Sequence, residues 1–175
     1  MFEILRLFFD ITLFRKAPQD IPASVILQRT MVFVYALISF LMLYISQPWF
    51  EALLQTGVEI ALVWFFCAMI LYWVGKPARF QQTFTALIGV DALISFFAFP
   101  VLSALTTPMP DGSSIPLLAI FVFITLILWH WLVTGYVLHH ALSQPLPFGL
   151  GVALLYLMVS YQIIGVLFPE VVVSE

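Results

Sequence analysis

Residues 117–138 read LLAIFVFITLILWHWLVTGYVL, an apolar run interrupted only by scattered neutral polar groups and by His130. At a rise of 1.5 Å per residue it makes a helix about 33 Å long, enough to cross a hydrocarbon core of about 30 Å. Working outward from it, four more stretches of similar character lie at 30–47, 52–74, 83–105 and 148–168. Each is about twice the length of a barrel strand. Hydrocarbon offers no partner for a free backbone amide, so the spans must be helices. The prolines agree: Pro48, Pro77, Pro108, Pro110, Pro116, Pro145, Pro147 and Pro169 fall at or between the proposed ends, where a missing N–H costs least. Pro100 alone lies inside a span and is expected to kink it, leaving the Phe96 carbonyl without its usual donor.

Composition points the same way. Hydrophobic residues make up 63% of the 175 and charged residues 9%, with mean hydropathy +1.13, whereas soluble domains carry about 25% charged residues. The expected fold is therefore all-α: one membrane domain over 1–175, a bundle of five transmembrane helices with an N-terminal interfacial amphipathic helix. No basic footprint for nucleic acid is present. The single cysteine, Cys67, sits inside an apolar run and reads as a small buried hydrophobe. Glu3, Arg6 and Asp10 interrupt the apolar start and no small-residue cleavage site follows, so the start is not read as a secretory signal.

At the start, Glu3, Arg6 and Asp10 recur at helical spacing, with Phe2, Leu5, Phe8, Phe9, Leu13 and Phe14 around the rest of the circumference. This predicts a membrane-lying helix over 1–16, with Arg6 placed to pair Glu3 and Asp10. Arg6, Arg15 and Lys16, and farther on Lys76 and Arg79, are the candidate headgroup contacts. Pro18 and Pro22 make a rigid turn into the first span. Trp49 marks the outer boundary, and Tyr72 and Trp73 the inner one.

Ionisable groups inside a bilayer cost about 2.5–3.5 kcal/mol each on insertion scales and need a partner or a role. The candidate intramembrane network is Glu59, Asp91, His130 and Gln162. Counting rise along the spans puts Asp91 and His130 at nearly equal depth, within reach of each other. Glu59 falls near the level of Tyr161 and Gln162, whose amide is a candidate donor. Two readings follow: polar glue between helices, or a proton- or cation-handling path from Glu59 to Asp91 and His130. His139 and His140 are adjacent, point to different faces and read as helix-end residues rather than zinc ligands. Gly57 and Ala61 have the small-x-x-x-small spacing for close helix approach, which favours burial of the second span. Gly-x-Ser-x-Gly, His-Glu-x-x-His and phosphate-loop patterns are missing, so neither an enzyme nor a bound cofactor is expected.

Residues 14–22, FRKAPQDIP, and 76–89, KPARFQQTFTALIG, together with the outline of the last two spans, resemble the bacterial branch of the Yip1-like membrane proteins. The resemblance implies a helical membrane domain without catalysis, acting through other proteins or on the membrane itself. The leading expectation is a non-catalytic adaptor, scaffold or assembly factor. Its partners would be the lipid bilayer and a membrane protein or second copy, met through the lipid-facing helices, the N-terminal helix or the 106–116 loop. The alternative is a small proton- or cation-linked transporter or channel subunit using Glu59, Asp91 and His130.

Orientation follows from the cations. Arg6, Arg15, Lys16 and Arg29 precede the first span, and Lys76 and Arg79 separate the second from the third. The loops at 48–51 and 106–116 and the tail after Pro169 carry no Lys or Arg. In an inner membrane this places the N-terminus in the cytoplasm and the C-terminus in the periplasm. Impermeant amine labelling of sealed vesicles should reach Lys16 and Lys76 from the same side; modification from opposite sides overturns this topology.

Overall fold

The computed structural model describes residues 2–106 and 117–169. Residues 107–116, nearly all of the 106–116 loop read above as a partner surface, and residues 170–175 lie outside the described residues. Helix α1 covers Phe2–Thr12, α2 Val25–Tyr44, α3 Trp49–Trp73, α4 Phe80–Thr106, α5 Leu117–Leu142 and α6 Leu146–Leu167. Short 3-10 turns at Pro18–Asp20 and Pro77–Arg79 precede α2 and α4. Five of these helices are long and apolar enough to cross a membrane, consistent with a membrane protein. Among the described residues there is no strand.

The expected boundaries shift where side chains cap the backbone. Helix α2 starts five residues before Thr30, because the Ser24 hydroxyl accepts the Leu27 amide at 3.3 Å and ends the turn begun by Pro22. Helix α5 continues through His139 and His140 to Leu142. The His140 ring nitrogen Nδ1 lies 3.1 Å from the Tyr136 carbonyl, and His139 Nδ1 contacts the Gln144 carbonyl. Helix α4 runs through Pro100 without a break.

Helix α4 is the axis of the bundle. Every residue from Thr83 to Val90 is buried, and α1, α2, α3 and α5 all pack on it. The other long helices bury one stripe and turn large apolar side chains outward, among them Phe33, Phe65, Ile124 and Leu155. Helices that are apolar on both faces suit a lipid surrounding, not water. On α3 the inward stripe is Ala52, Thr56, Val63, Cys67 and Leu71. Gly57 and Ala61 are exposed, which corrects the close-approach reading: those positions lie off the stripe that meets α2 and α4.

Close approach occurs instead between α5 and α6. A Cβ built on Gly149 would meet the Gly135 carbonyl and the His139 backbone, and one on Gly135 would meet Leu150. The same end of the bundle carries the basic residues of the α3–α4 turn. Lys76 Nζ donates to the Leu142 carbonyl at 2.6 Å, and Arg79 Nη1 donates to the Ala141 carbonyl and the Ser143 hydroxyl, both at 2.8 Å. Both side chains thus satisfy the free carbonyls at the end of α5. Gln82 donates to the Gln19 and Ile21 carbonyls, and Gln19 to that of His140, which closes this basic end.

A helix forms at the start, over Phe2–Thr12 where 1–16 was expected, and one side of it packs on protein. Leu7, Phe8, Ile11 and Thr12 are buried, while Glu3 and Arg6 are exposed. Phe8 fills the space beside Gly89, about 13 Å along α4. Phe9 meets Phe97 edge to face at 6.1 Å between centroids. Trp129 Nε1 donates to the Thr12 carbonyl at 3.0 Å. The helix therefore lies along the sides of α4 and α5. The Arg6 pairing with Glu3 and Asp10 is not formed; among the described residues the one acid–base side-chain contact is His130–Asp91. An exposed pair of this kind is worth only a few tenths of a kcal/mol, too little to hold two long side chains in place.

The two glycine environments predict effects of opposite sign. Gly149→Ala should destabilise the bundle by about 1–3 kcal/mol through overpacking. Gly57→Ala, whose Cβ meets nothing within 4 Å, should stabilise it by up to about 1 kcal/mol through helix propensity. Thermal unfolding in detergent checks both.

Candidate functional site

Polar residues four apart on α2 and α3 build the first half of the site. Tyr35 and Ser39 face α3 from one side of α2. Their hydroxyls donate to Glu59 Oε2 at 3.0 and 2.6 Å. Gln55, one turn before Glu59, donates from Nε2 to Glu59 Oε1 at 3.3 Å. Gln47, in the α2–α3 turn, donates to Gln55 Oε1 at 3.1 Å. A string of side chains thus leads from the end of the bundle opposite the basic turn to Glu59, and every donor in it is neutral.

Asp91 and His130 build the second half. Asp91 follows the fully buried run of α4, and its Oδ1 lies 2.8 Å from His130 Nε2 on α5. The flanking tryptophans set the rotation of α5: Trp129 Nε1 reaches α1, and Trp131 Nε1 donates to the Leu150 carbonyl of α6 at 3.0 Å. Both indoles spend their N–H on a neighbouring helix, so the intervening histidine is presented to α4.

Glu59, Asp91, His130 and Tyr35 line one cavity of about 850 Å³, walled by apolar and aromatic residues that include Phe123, Trp131 and Tyr156. The lining draws on the halves of α5 and α6 remote from Gly135 and Gly149. The two helices touch at the basic end, and the cavity lies between their other halves. No lysine or arginine lines it. When Asp91 and His130 form an ion pair their charges cancel, and an ionised Glu59 leaves one negative charge without a counter-charge. Among the described residues no three His, Cys, Asp or Glu side chains converge as a metal-ligand set.

The structure thus brings together Glu59, Asp91 and His130 and leaves out Gln162, which is exposed on α6. Gln55 holds the position assigned to it, because an i, i+4 neighbour on the same helix needs no interhelical register to reach the carboxylate. Lys76 and Arg79, assigned to headgroups, are engaged by α5. Arg6, Arg15 and Lys16 are exposed. Tyr35, Ser39, Gln47 and Gln55 were missed from sequence; the signal was polar residues recurring every fourth position on facing spans.

Removing either member of the partly buried Asp91–His130 pair takes away the other's partner, at a cost of about 1–3 kcal/mol. Asp91→Asn with His130→Ala should cost less than the sum of the single variants by about 1 kcal/mol in a double-mutant cycle of unfolding. Additive effects would mean that the contact contributes nothing.

Comparison of the chain with protein-family models, curated proteins and solved structures finds no match, so the functional reading rests on the site itself.

Proposed function

We propose that this chain is a multi-pass inner-membrane protein that acts as a small proton- or cation-linked transporter or channel subunit, without catalysis. Its basic end faces the cytoplasm, with the N-terminus there and the C-terminus in the periplasm. The observation that carries the reading is that Glu59, Asp91 and His130 border the same cavity. Ionisable groups used only as glue need no shared space, whereas a path requires one.

Polar atoms on either side of the cavity support the same reading. Toward the outer end stand Gln55 and Gln47, with Gln47 Oε1 buried and unbonded among the described residues. Toward the basic end stand Thr134, one turn from His130, and Gln81, whose Oγ1 and Nε2 are buried without a protein partner. Buried polar atoms of this kind are where bridging waters bind.

A second reading is that of an adaptor, scaffold or assembly factor meeting a membrane-protein partner or a second copy, in line with the Yip1-like resemblance. It is favoured by α1, where Glu3 and Arg6 stand exposed beside the apolar flanks of α4 and α5. Charges in that position call for a polar neighbour.

Reconstituted into liposomes with an internal pH dye and an imposed potential, the protein should admit protons or monovalent cations. Glu59→Gln and Asp91→Asn should reduce the flux to the level of protein-free liposomes. Wild-type flux already at that level would move the assignment to the adaptor.

A further inference from the structure

We infer that the cavity binds a monovalent organic cation with an apolar body, its charged group at Glu59 and its body against Phe123, Trp131 and Tyr156. The inference rests on the transport reading of the same site and names the class of substrate.

Charge decides the sign. The chain has six lysines and arginines, none of which lines the cavity, so an anion would find no counter-charge. Glu59 offers the opposite. Its Oε2 takes two hydrogen bonds and its Oε1 one. A carboxylate has about four acceptor positions, so one remains on Oε1. The three donors are neutral, so none of them supplies a counter-charge to an ionised Glu59.

The walls decide the body. Calcium takes six to eight oxygen ligands, and magnesium demands six in a near-octahedral shell. Besides Glu59 and the engaged Asp91, the lining supplies only scattered hydroxyls such as Ser95 and Ser160. The remainder is largely aliphatic side chains with the rings of Tyr35, Phe123, Trp131, Tyr156 and Tyr161 among them, and aromatic rings attract a large, weakly hydrated cation through their faces. A volume of about 850 Å³ falls within the range of about 300–1,000 Å³ that holds drug-sized ligands.

The rim decides the approach. Leu128, Met158 and Tyr161 line the cavity, yet are 52%, 60% and 78% exposed. The cavity therefore opens sideways between α5 and α6, toward the medium that covers their apolar faces. A ligand dissolved in that medium reaches Glu59 without crossing the closed basic end.

Tetraphenylphosphonium and tetraphenylborate share shape and size and differ in charge, so the pair tests the inference on wild-type protein in nanodiscs by equilibrium dialysis. The phosphonium should bind saturably and the borate should not. Glu59→Gln should weaken phosphonium binding about tenfold or more, and Glu59→Asp should retain most of it. Equal binding of both ions, or binding indifferent to Glu59→Gln, overturns the inference, as does no saturable binding of the phosphonium. Proton flux measured on the same protein in liposomes separates the two claims. Flux without phosphonium binding removes the substrate class and leaves transport standing; binding without flux removes transport and leaves a binding site.

Discussion

A polar group surrounded by hydrocarbon has no water to fall back on, and the ionisable groups and indoles inside this bundle are met by other side chains or carbonyls of the chain. The Asp91 carboxylate is met by His130 and the Glu59 carboxylate by two hydroxyls and an amide. The indoles of Trp129 and Trp131 take carbonyls of α1 and α6. Lys76 and Arg79 are drawn onto the open carbonyls of α5. All of these except the Gln55 amide on Glu59 join different segments, and they have few alternatives in an apolar setting, so they determine rotation and register more sharply than packing of similar apolar side chains does.

That constraint also explains why the two ends of the bundle differ. At the basic end, glycines let α5 and α6 touch, and the cations and glutamines of neighbouring segments tie the helix termini together. Nothing comparable joins the other halves of α5 and α6 among the described residues, and there the cavity lies. The hydrogen bonds on Glu59 and Asp91 are compatible with both holding helices and presenting charge to that space. Polar glue and a polar path are therefore two uses of one arrangement.

Helix α1 shows the same economy. Its backbone accepts from Trp129 at Thr12, and Phe14, in the left-handed region at φ 60° where the helix ends, offers its carbonyl to the Tyr136 hydroxyl at 3.2 Å. The helix is thereby bound to the flank of α4 and α5, although its own composition suits an interface. Its exposed Glu3 and Arg6 are the part of the surface least matched to the apolar faces beside them.

Much of the architecture was legible in the residues alone. Long apolar runs punctuated by proline allow only helices of spanning length, and equal rise per residue was enough to put Asp91 and His130 within reach of each other. Cys67 was readable as core because nothing near it in sequence could use a thiol. What the one-dimensional pattern did not hold was azimuth: which face of each helix turns inward. Gly57 and Ala61 had the right spacing on the wrong face, and Gln162 had the right height on an outward one. The close glycine contact fell to Gly135 and Gly149, and the donors to Glu59 came from Tyr35, Ser39 and Gln55. On helices apolar around most of their circumference, the hydrophobic pattern carries almost no information about rotation. Rotation is decided only when the few polar side chains find one another in three dimensions.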